Sequence, residues 1–314
     1  MKKHIYYPSS DGKTKLHAAI WEPETAPRAI LQISHGMVEY VERYEGFAEF
    51  LNAHGMDAFV VDYRVAPYDH LGHGDSYTEE WQKGYFAKEK GDICALQDLH
   101  RMTLLLQKKY PNIPHFLFGH SMGSFFARRY LCMYPNDIDG AVICGTGWQP
   151  KPVLKGALFL TKLGTLLRGD KYRCPIINQL AFGSINKAFE PANTPKDWLS
   201  RDEEAVAKYV ADPKCGFLFT LNGYRTLFRS MLLAQDMHLL QKMDEDLPIF
   251  FISGEMDPVG DFGKGVKKAV NAFSASGMQD VECILYPEAR HELINELNRE
   301  EVFQDVLEWL EFHI

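Results

Sequence analysis

Residues 115–130 read HFLFGHSMGSFFARRY. A short, mostly apolar run enters a Gly-His-Ser-Met-Gly corner, and a long apolar and basic segment leaves it. Such a run reads as a buried strand, and the segment after it as a helix. Gly119 and Gly123 strip the corner of side chains, so the two elements can approach closely and the bend can be sharp. A strand that turns directly into a helix belongs to a parallel sheet with its connections packed on the faces.

The neighbouring sequence repeats that rhythm. RAILQIS (28–34), MDAFVVDY (56–63), HFLFGHS, IDGAVICGTG, LPIFFISG (247–254) and DVECILYP read as strands. YEGFAEFLNAHG, GDICALQDLHRMTLLLQKKYP, MGSFFARRYLCMYP, a stretch from about 263 to 276 and EEVFQDVLEWLEFHI carry helical periodicity. KKHIYY and KLHAAIWEP flank a turn at Asp11-Gly12 and predict an N-terminal hairpin. Between Trp148 and about Met243 the alternation stops, and only helix and loop signals remain. The expected architecture is α/β: a mostly parallel, doubly wound sheet with an inserted helical cap. The expected divisions are a first core part over 1–147, a cap over 148–243 and a second core part over 244–314.

A serine at the carboxyl end of a parallel strand lies where such sheets bind ligands. Gly-x-Ser-x-Gly alone recurs by chance about 0.1 times in a chain of this length. Its strand-before, helix-after context makes it a nucleophile elbow. A hydroxyl needs a base, and the base needs an orienting carboxylate. In chain order these follow the serine. Asp257 stands a few residues beyond its strand in IFFISGEMDPVGD, flanked by Glu255 and Asp261. His291 follows the last strand in CILYPEARHELINE. His100, His238 and His313 fall within helical patterns, and His120 sits inside the corner itself. The free N–H of Met122 at the helix start, and that of Met37 in QISHGMVEY, are the expected donors to a developing oxyanion.

SHGMVEYVERYEGFAEFL, DHLGHGDS, FGHSMGS, SGEMDPVG and RHELINE together resemble the monoacylglycerol lipase and lysophospholipase group of the α/β-hydrolase superfamily. Its bacterial members are grouped with serine aminopeptidase-type (S33) hydrolases. The resemblance spans nearly the whole chain, with the motifs in the family's order. It implies Ser121 as nucleophile, Asp257 as acid, His291 as base, and Met37 and Met122 as oxyanion donors. It also implies a small acyl ester as substrate. One departure is expected: VVDYRVAPYDHLGHG is long for the group, so residues of about 64–69 should form a rearranged loop, in which Asp69, His73 and Asp75 hold the turn near the sheet.

Leu158, Phe159 and Leu163 in the insertion are candidates for an acyl-chain wall, against the simpler reading that they bury the insertion's own core. An S33-type aminopeptidase would need carboxylates for a substrate amine, and Asp202, Glu203 and Glu204 are available, although RDEE also suits a helix start. Acyl transfer to an alcohol other than water would use the same triad. A non-catalytic binding module has no chemical need for all three triad residues.

Composition closes off other classes. The net charge of -8 and the absence of a Lys/Arg block argue against a nucleic-acid partner. Six cysteines without a CxxC pair give no metal spacing and suit free thiols in the cytoplasm. The expectation is therefore no metal and no organic cofactor. MKKHIYYPSS has no apolar segment behind its lysines, so a secretory signal is not expected. VLKGALFLTKLGTLL (153–167) is too short and too charged to span a bilayer, though apolar enough for transient contact with a lipid surface. Nothing in the pattern selects an oligomeric state.

Overall fold

The computed structural model describes residues 1–22, 27–53 and 63–314. Among them, eight strands form one sheet in the order β1-β2-β4-β3-β5-β6-β7-β8. The hairpin β1 (Lys2–Pro8) and β2 (Lys15–Trp21) is antiparallel, and β2 runs antiparallel to β4 (Tyr63–Tyr68). From β4 onward every pairing is parallel, through β3 (Ala29–Ser34), β5 (His115–His120), β6 (Gly140–Cys144), β7 (Ile249–Gly254) and β8 (Val281–Tyr286).

Side-chain alternation along these strands feeds two cores. Phe116, Phe118, Phe250 and Ile252 point to one face, against α1 (Glu45–Ala53) and α10 (Arg299–Phe312). Leu117, Ile249 and Phe251 point to the other, against α2 (Gly91–Lys109), α3 (Met122–Met133) and α9 (Lys264–Ala275). Burial on both faces is why the inner strands β3, β5, β6 and β7 read as near-continuous apolar runs rather than as alternating ones.

One expectation is corrected. Residues 64–68, read as part of a rearranged loop, belong to β4, in register from Ile30↔Arg64 to Ser34↔Tyr68. Arg64 and Pro67 interrupt the apolar pattern and hide the strand. The charge at Arg64 is accommodated by stacking its guanidinium 3.6 Å above the Tyr110 ring. The run expected as the strand, 56–63, lies outside the described residues except for Tyr63. Beyond β4, Asp69 holds the turn as expected: it accepts hydrogen bonds from the backbone N–H groups of Val41 (3.0 Å) and Asp75 (2.9 Å). Asp75 instead reaches outward to Lys214, at 2.6 Å.

Between β6 and β7 the chain contributes α4 (Lys151–Arg168), α5 (Pro175–Phe182), α6 (Glu203–Ala211), α7 (Leu221–Leu233) and α8 (Met237–Leu240). The only bridge there among the described residues is Arg173↔Thr220. Arg128 of α3, fully buried, fastens both ends of this stretch to the core. It donates to Gly147 O (3.0 Å) where the chain leaves the sheet and to Ala234 O (2.8 Å) where it returns. Asn222 of α7 seats the stretch on residues 86–87, accepting from Phe86 N (2.9 Å) and donating to Ala87 O (2.7 Å). Among the described residues no helix is long and apolar enough to cross a membrane.

Candidate active site

The corner after β5 is built by exclusion. A side chain at Gly123 would place its Cβ 1.9 Å from Ser34 O, and one at Gly119 would meet Ala127 Cβ at 2.7 Å. Bare backbone at both positions lets α3 start directly against β3 and β5. The cost falls on Ser121, held at φ 52° and ψ −116°, a conformation side-chain-bearing residues rarely adopt. Facing it, Val38 in the loop after β3 also has a positive φ, 54°. Phe262, at φ 52°, lines the same cavity, so three strained, non-glycine residues border it.

Ser121 Oγ lies 2.8 Å from His291 Nε2, and His291 Nδ1 lies 2.9 Å from Asp257 Oδ2. A carboxylate only accepts, so Nδ1 carries the proton and Nε2 is free to accept from the serine hydroxyl. Asp257 is fully buried and takes further hydrogen bonds from Val259 N (2.8 Å) and Ser253 Oγ (3.3 Å). Glu255 is exposed on the same loop, and Asp261 likewise. The Trp198 ring packs 5.0 Å from that of His291. His100, His238 and His313 are away from this cavity's lining, as their helical patterns suggested.

Met37 and Met122 both line the cavity beside Ser121. Their backbone N–H groups have no protein acceptor among the described residues. His35 shapes the loop that carries Met37. Its Nε2 accepts from His70 N (3.0 Å), which leaves the proton on Nδ1, and that proton goes to Gly36 O (2.7 Å). Burial keeps this imidazole neutral by lowering its pKa.

A buried charge cluster, not anticipated from sequence, ties the catalytic loops together. Glu39 accepts from Gly36 N, from Tyr44 OH (2.9 Å), from Arg43 Nε (3.3 Å) and from His120 Nδ1 (2.9 Å). Arg43 also binds Glu292, the residue after His291. His120 donates its other nitrogen to His291 O at 3.4 Å. Both ring nitrogens of His120 face acceptors, so it is an imidazolium. Burial works against that charge, but the Glu39 carboxylate outweighs it and the His120 pKa is raised. Burial likewise opposes ionisation of Glu39, and His120 and Arg43 overcome it, holding its carboxyl far below the usual range. The sequence carried one signal for this cluster: a carboxylate two residues past Met37 in an otherwise apolar loop.

The cavity has a volume of about 1230 Å³ and its lining includes two unlike groups. Glu39, Tyr209, Lys196 and Glu292 belong to one, gathered around Arg43, which binds both carboxylates and stacks on Tyr209; Leu154, Ala157 and Leu160 of α4, Ile177 of α5 and Phe228 and Met231 of α7 belong to the other. Leu158, Phe159 and Leu163 do not line it, which corrects the expectation. Helical spacing turns residues 153, 157 and 160 of α4 inward. Leu158 packs sideways on the core, while Phe159 and Leu163 face out, at 65% and 43% exposure. Asp202, Glu203 and Glu204 are not in its lining either. Asp202 caps α6, accepting from the N–H groups of Glu204 (3.0 Å) and Ala205 (3.1 Å).

Known proteins resemble this chain over most of its length. The family model described as serine aminopeptidase, S33, matches residues 25–298. A monoacylglycerol lipase of Mycolicibacterium smegmatis is 24% identical, over 96% of this chain and 95% of its own. The human monoglyceride lipase is 26% identical, over 96% of this chain and 88% of its own. Among solved structures, a thermostable carboxyl esterase from Bacillus coagulans, in complex with glycerol, superposes with a TM-score of 0.90 at 28% identity. It covers 99% of this chain and 98% of its own.

Proposed function

This chain belongs to the serine aminopeptidase S33 family, and from that premise we propose that it is a serine hydrolase whose Ser121, His291 and Asp257 cleave the acyl ester of a monoacylglycerol. The observation that carries the reading is the hydrogen-bonded chain Ser121–His291–Asp257 at one wall of a cavity that apolar side chains of α4, α5 and α7 also line.

Ser121 Oγ attacks the ester carbonyl as its proton passes to His291 Nε2. The Met37 and Met122 N–H groups receive the charge that develops on the carbonyl oxygen. Asp257 holds the imidazolium in place without taking its proton. The carbon–oxygen ester bond breaks as His291 returns the proton to the leaving alcohol. Water then enters, gives a proton to His291 and attacks the acyl carbon; the bond to Ser121 Oγ breaks as His291 returns that proton to the serine, which frees the acid and restores the triad.

Residues 148–243 act as the cap that closes the cavity, and Leu154, Leu160, Ile177 and Met231 form the wall for the acyl chain. The peptidase alternative loses its support, because the carboxylates offered for a substrate amine are engaged outside the cavity. All six cysteines are unpaired, in keeping with a reducing compartment such as the cytoplasm.

A p-nitrophenyl ester series from acetate to palmitate, followed by a 1-acylglycerol, tests the reading. Activity should rise with chain length and fall by about 10⁴-fold or more in Ser121→Ala. Cleavage of aminoacyl arylamides with esters untouched would transfer the site to peptide chemistry.

A further inference from the structure

The polar group in the cavity lining carries a charge the cluster does not use. Glu39 and Glu292 are two anions, and Arg43 and His120 are two cations, so these four neutralise one another. Lys196 stands beside them, half-buried in the cavity wall, with its ammonium 5.9 Å from the centre of the Tyr209 ring. Among the described residues it has no ion-pair partner and its side chain makes no hydrogen bond. Its neighbour Asp197 turns away, accepting from Asn193 N (2.7 Å) and Thr194 N (3.0 Å). Burial pulls the Lys196 pKa down and only the field of Glu292 opposes it, which marks an ammonium short of compensating charge.

Position assigns that charge a partner. Two residues on from Lys196, the Trp198 ring rests on His291. Tyr209, beneath the ammonium, donates to Val38 O (3.3 Å), next to the oxyanion loop. His291 must hand its proton to the leaving alcohol, so the alcohol portion of the substrate lies on this side of Ser121. The apolar side chains of α4, α5 and α7 are left for the acyl chain. We infer that Lys196 selects ester substrates whose alcohol portion bears an anion, a phosphate monoester in particular, over substrates with a neutral alcohol. The inference rests on the ester-hydrolase reading and makes Lys196 a specificity-determining residue of the same site.

The test compares kcat/KM for a 1-acylglycerol and for the same 1-acylglycerol carrying a 3-phosphate, in wild type, Lys196→Gln and Lys196→Arg. The quantity read is the phosphate-to-neutral ratio, in which a general loss of active enzyme cancels. That ratio should fall about fivefold to tenfold in Lys196→Gln and be retained in Lys196→Arg. High salt should compress it in wild type. Glycerol 3-phosphate should inhibit wild type more strongly than Lys196→Gln, while decanoate inhibits both alike. Turnover of both substrates with the ratio unchanged in Lys196→Gln overturns the inference and leaves the esterase standing. Weakened inhibition by decanoate instead of glycerol 3-phosphate assigns Lys196 to the acid product and overturns it too. Turnover of neither substrate by wild type takes down the ester-hydrolase reading and this inference with it.

Discussion

Helices α3 and α4 both line the cavity and are built on opposite plans. Eleven of the twelve residues of α3 are buried, including two arginines. Of the eighteen residues of α4 only Leu154 and Thr161 are, while Leu166 and Leu167 stand nearly three-quarters exposed. Both helices are apolar enough for a core, so composition does not separate them. What separates them is the number of partners. Helix α3 is packed by the sheet beneath, by α2 and α7 beside it and by the catalytic corner at its start. Helix α4 rests on α7, touches α5 and borders the cavity. A residue that reacts must sit within fractions of an ångström of its partner, which only a crowded neighbourhood enforces. A residue that only lines an acyl chain tolerates a looser one.

The sharpest way to break this comparison is to crowd the crowded side further. Gly123→Ala would drive a methyl group into Ser34 O, a backbone atom that cannot move without shifting β3. We expect a loss of about 3 kcal/mol or more in stability, at the upper end for overpacking. Esterase activity should fall at least about a hundredfold in whatever protein folds, because both the Ser121 strain and the Met122 donor depend on this corner. Urea unfolding with active-site titration separates the two effects. A variant of wild-type stability and activity would mean that the corner is far more plastic than its geometry implies. By contrast, Gly156→Ala on α4 meets nothing within 4 Å and should be nearly neutral or slightly stabilising.

A smaller effect probes what holds the catalytic loops in register. Glu39→Gln leaves His120 and Arg43 facing a neutral amide in a buried site, which should cost about 3 kcal/mol. Its pH dependence is set by two titrations. The Glu39 pKa is depressed below its ordinary 4.5, so its contribution is present above that value and is lost as pH falls toward its folded value. The His120 pKa is raised above its ordinary 6.5, so its contribution is full below 6.5 and is lost as pH rises through its folded value. The stability gap between wild type and variant should therefore be widest between about pH 4.5 and 6.5 and narrow on both sides. Chemical denaturation across that range checks it, and a gap that kept widening toward pH 9 would contradict a charged His120.

Legibility from sequence follows the same division. The strands feeding the site announced themselves because burial on both faces leaves few polar residues to confuse the run. Ser121 was legible because Gly119 and Gly123 have no alternative at such close approach. Strand β4 is hidden in the sequence, since Arg64 and Pro67 look like loop residues until stacking on Tyr110 and the register with β3 are seen. The Glu39–Arg43–Glu292–His120 cluster joins residues up to 253 positions apart, and no local pattern reports that. On α4 the sequence established a helix but not its rotation. An apolar residue on nearly every face, as at Leu158, Phe159, Leu160 and Leu163, leaves the inward stripe undefined.

That undetermined rotation yields the mildest test of the comparison. Leu160 lines the cavity at 43% exposure, and Leu163, one turn on, is equally exposed but outside the lining. Two substitutions of the same chemistry should therefore part company. Leu160→Trp should shorten the preferred acyl chain, lowering kcat/KM for palmitate against butyrate by about fivefold to tenfold, the range that one or two methylenes are worth in an apolar pocket. Leu163→Trp should leave that ratio within about twofold. Both should change stability by no more than about 0.5 kcal/mol, since neither site is packed on all sides. Equal shifts in the two variants would mean that α4 turns on its axis when an acyl chain enters. The acyl wall would then be set by the ligand rather than by the helix, and looseness on this side of the cavity would be the means by which one rigid triad accepts chains of different length.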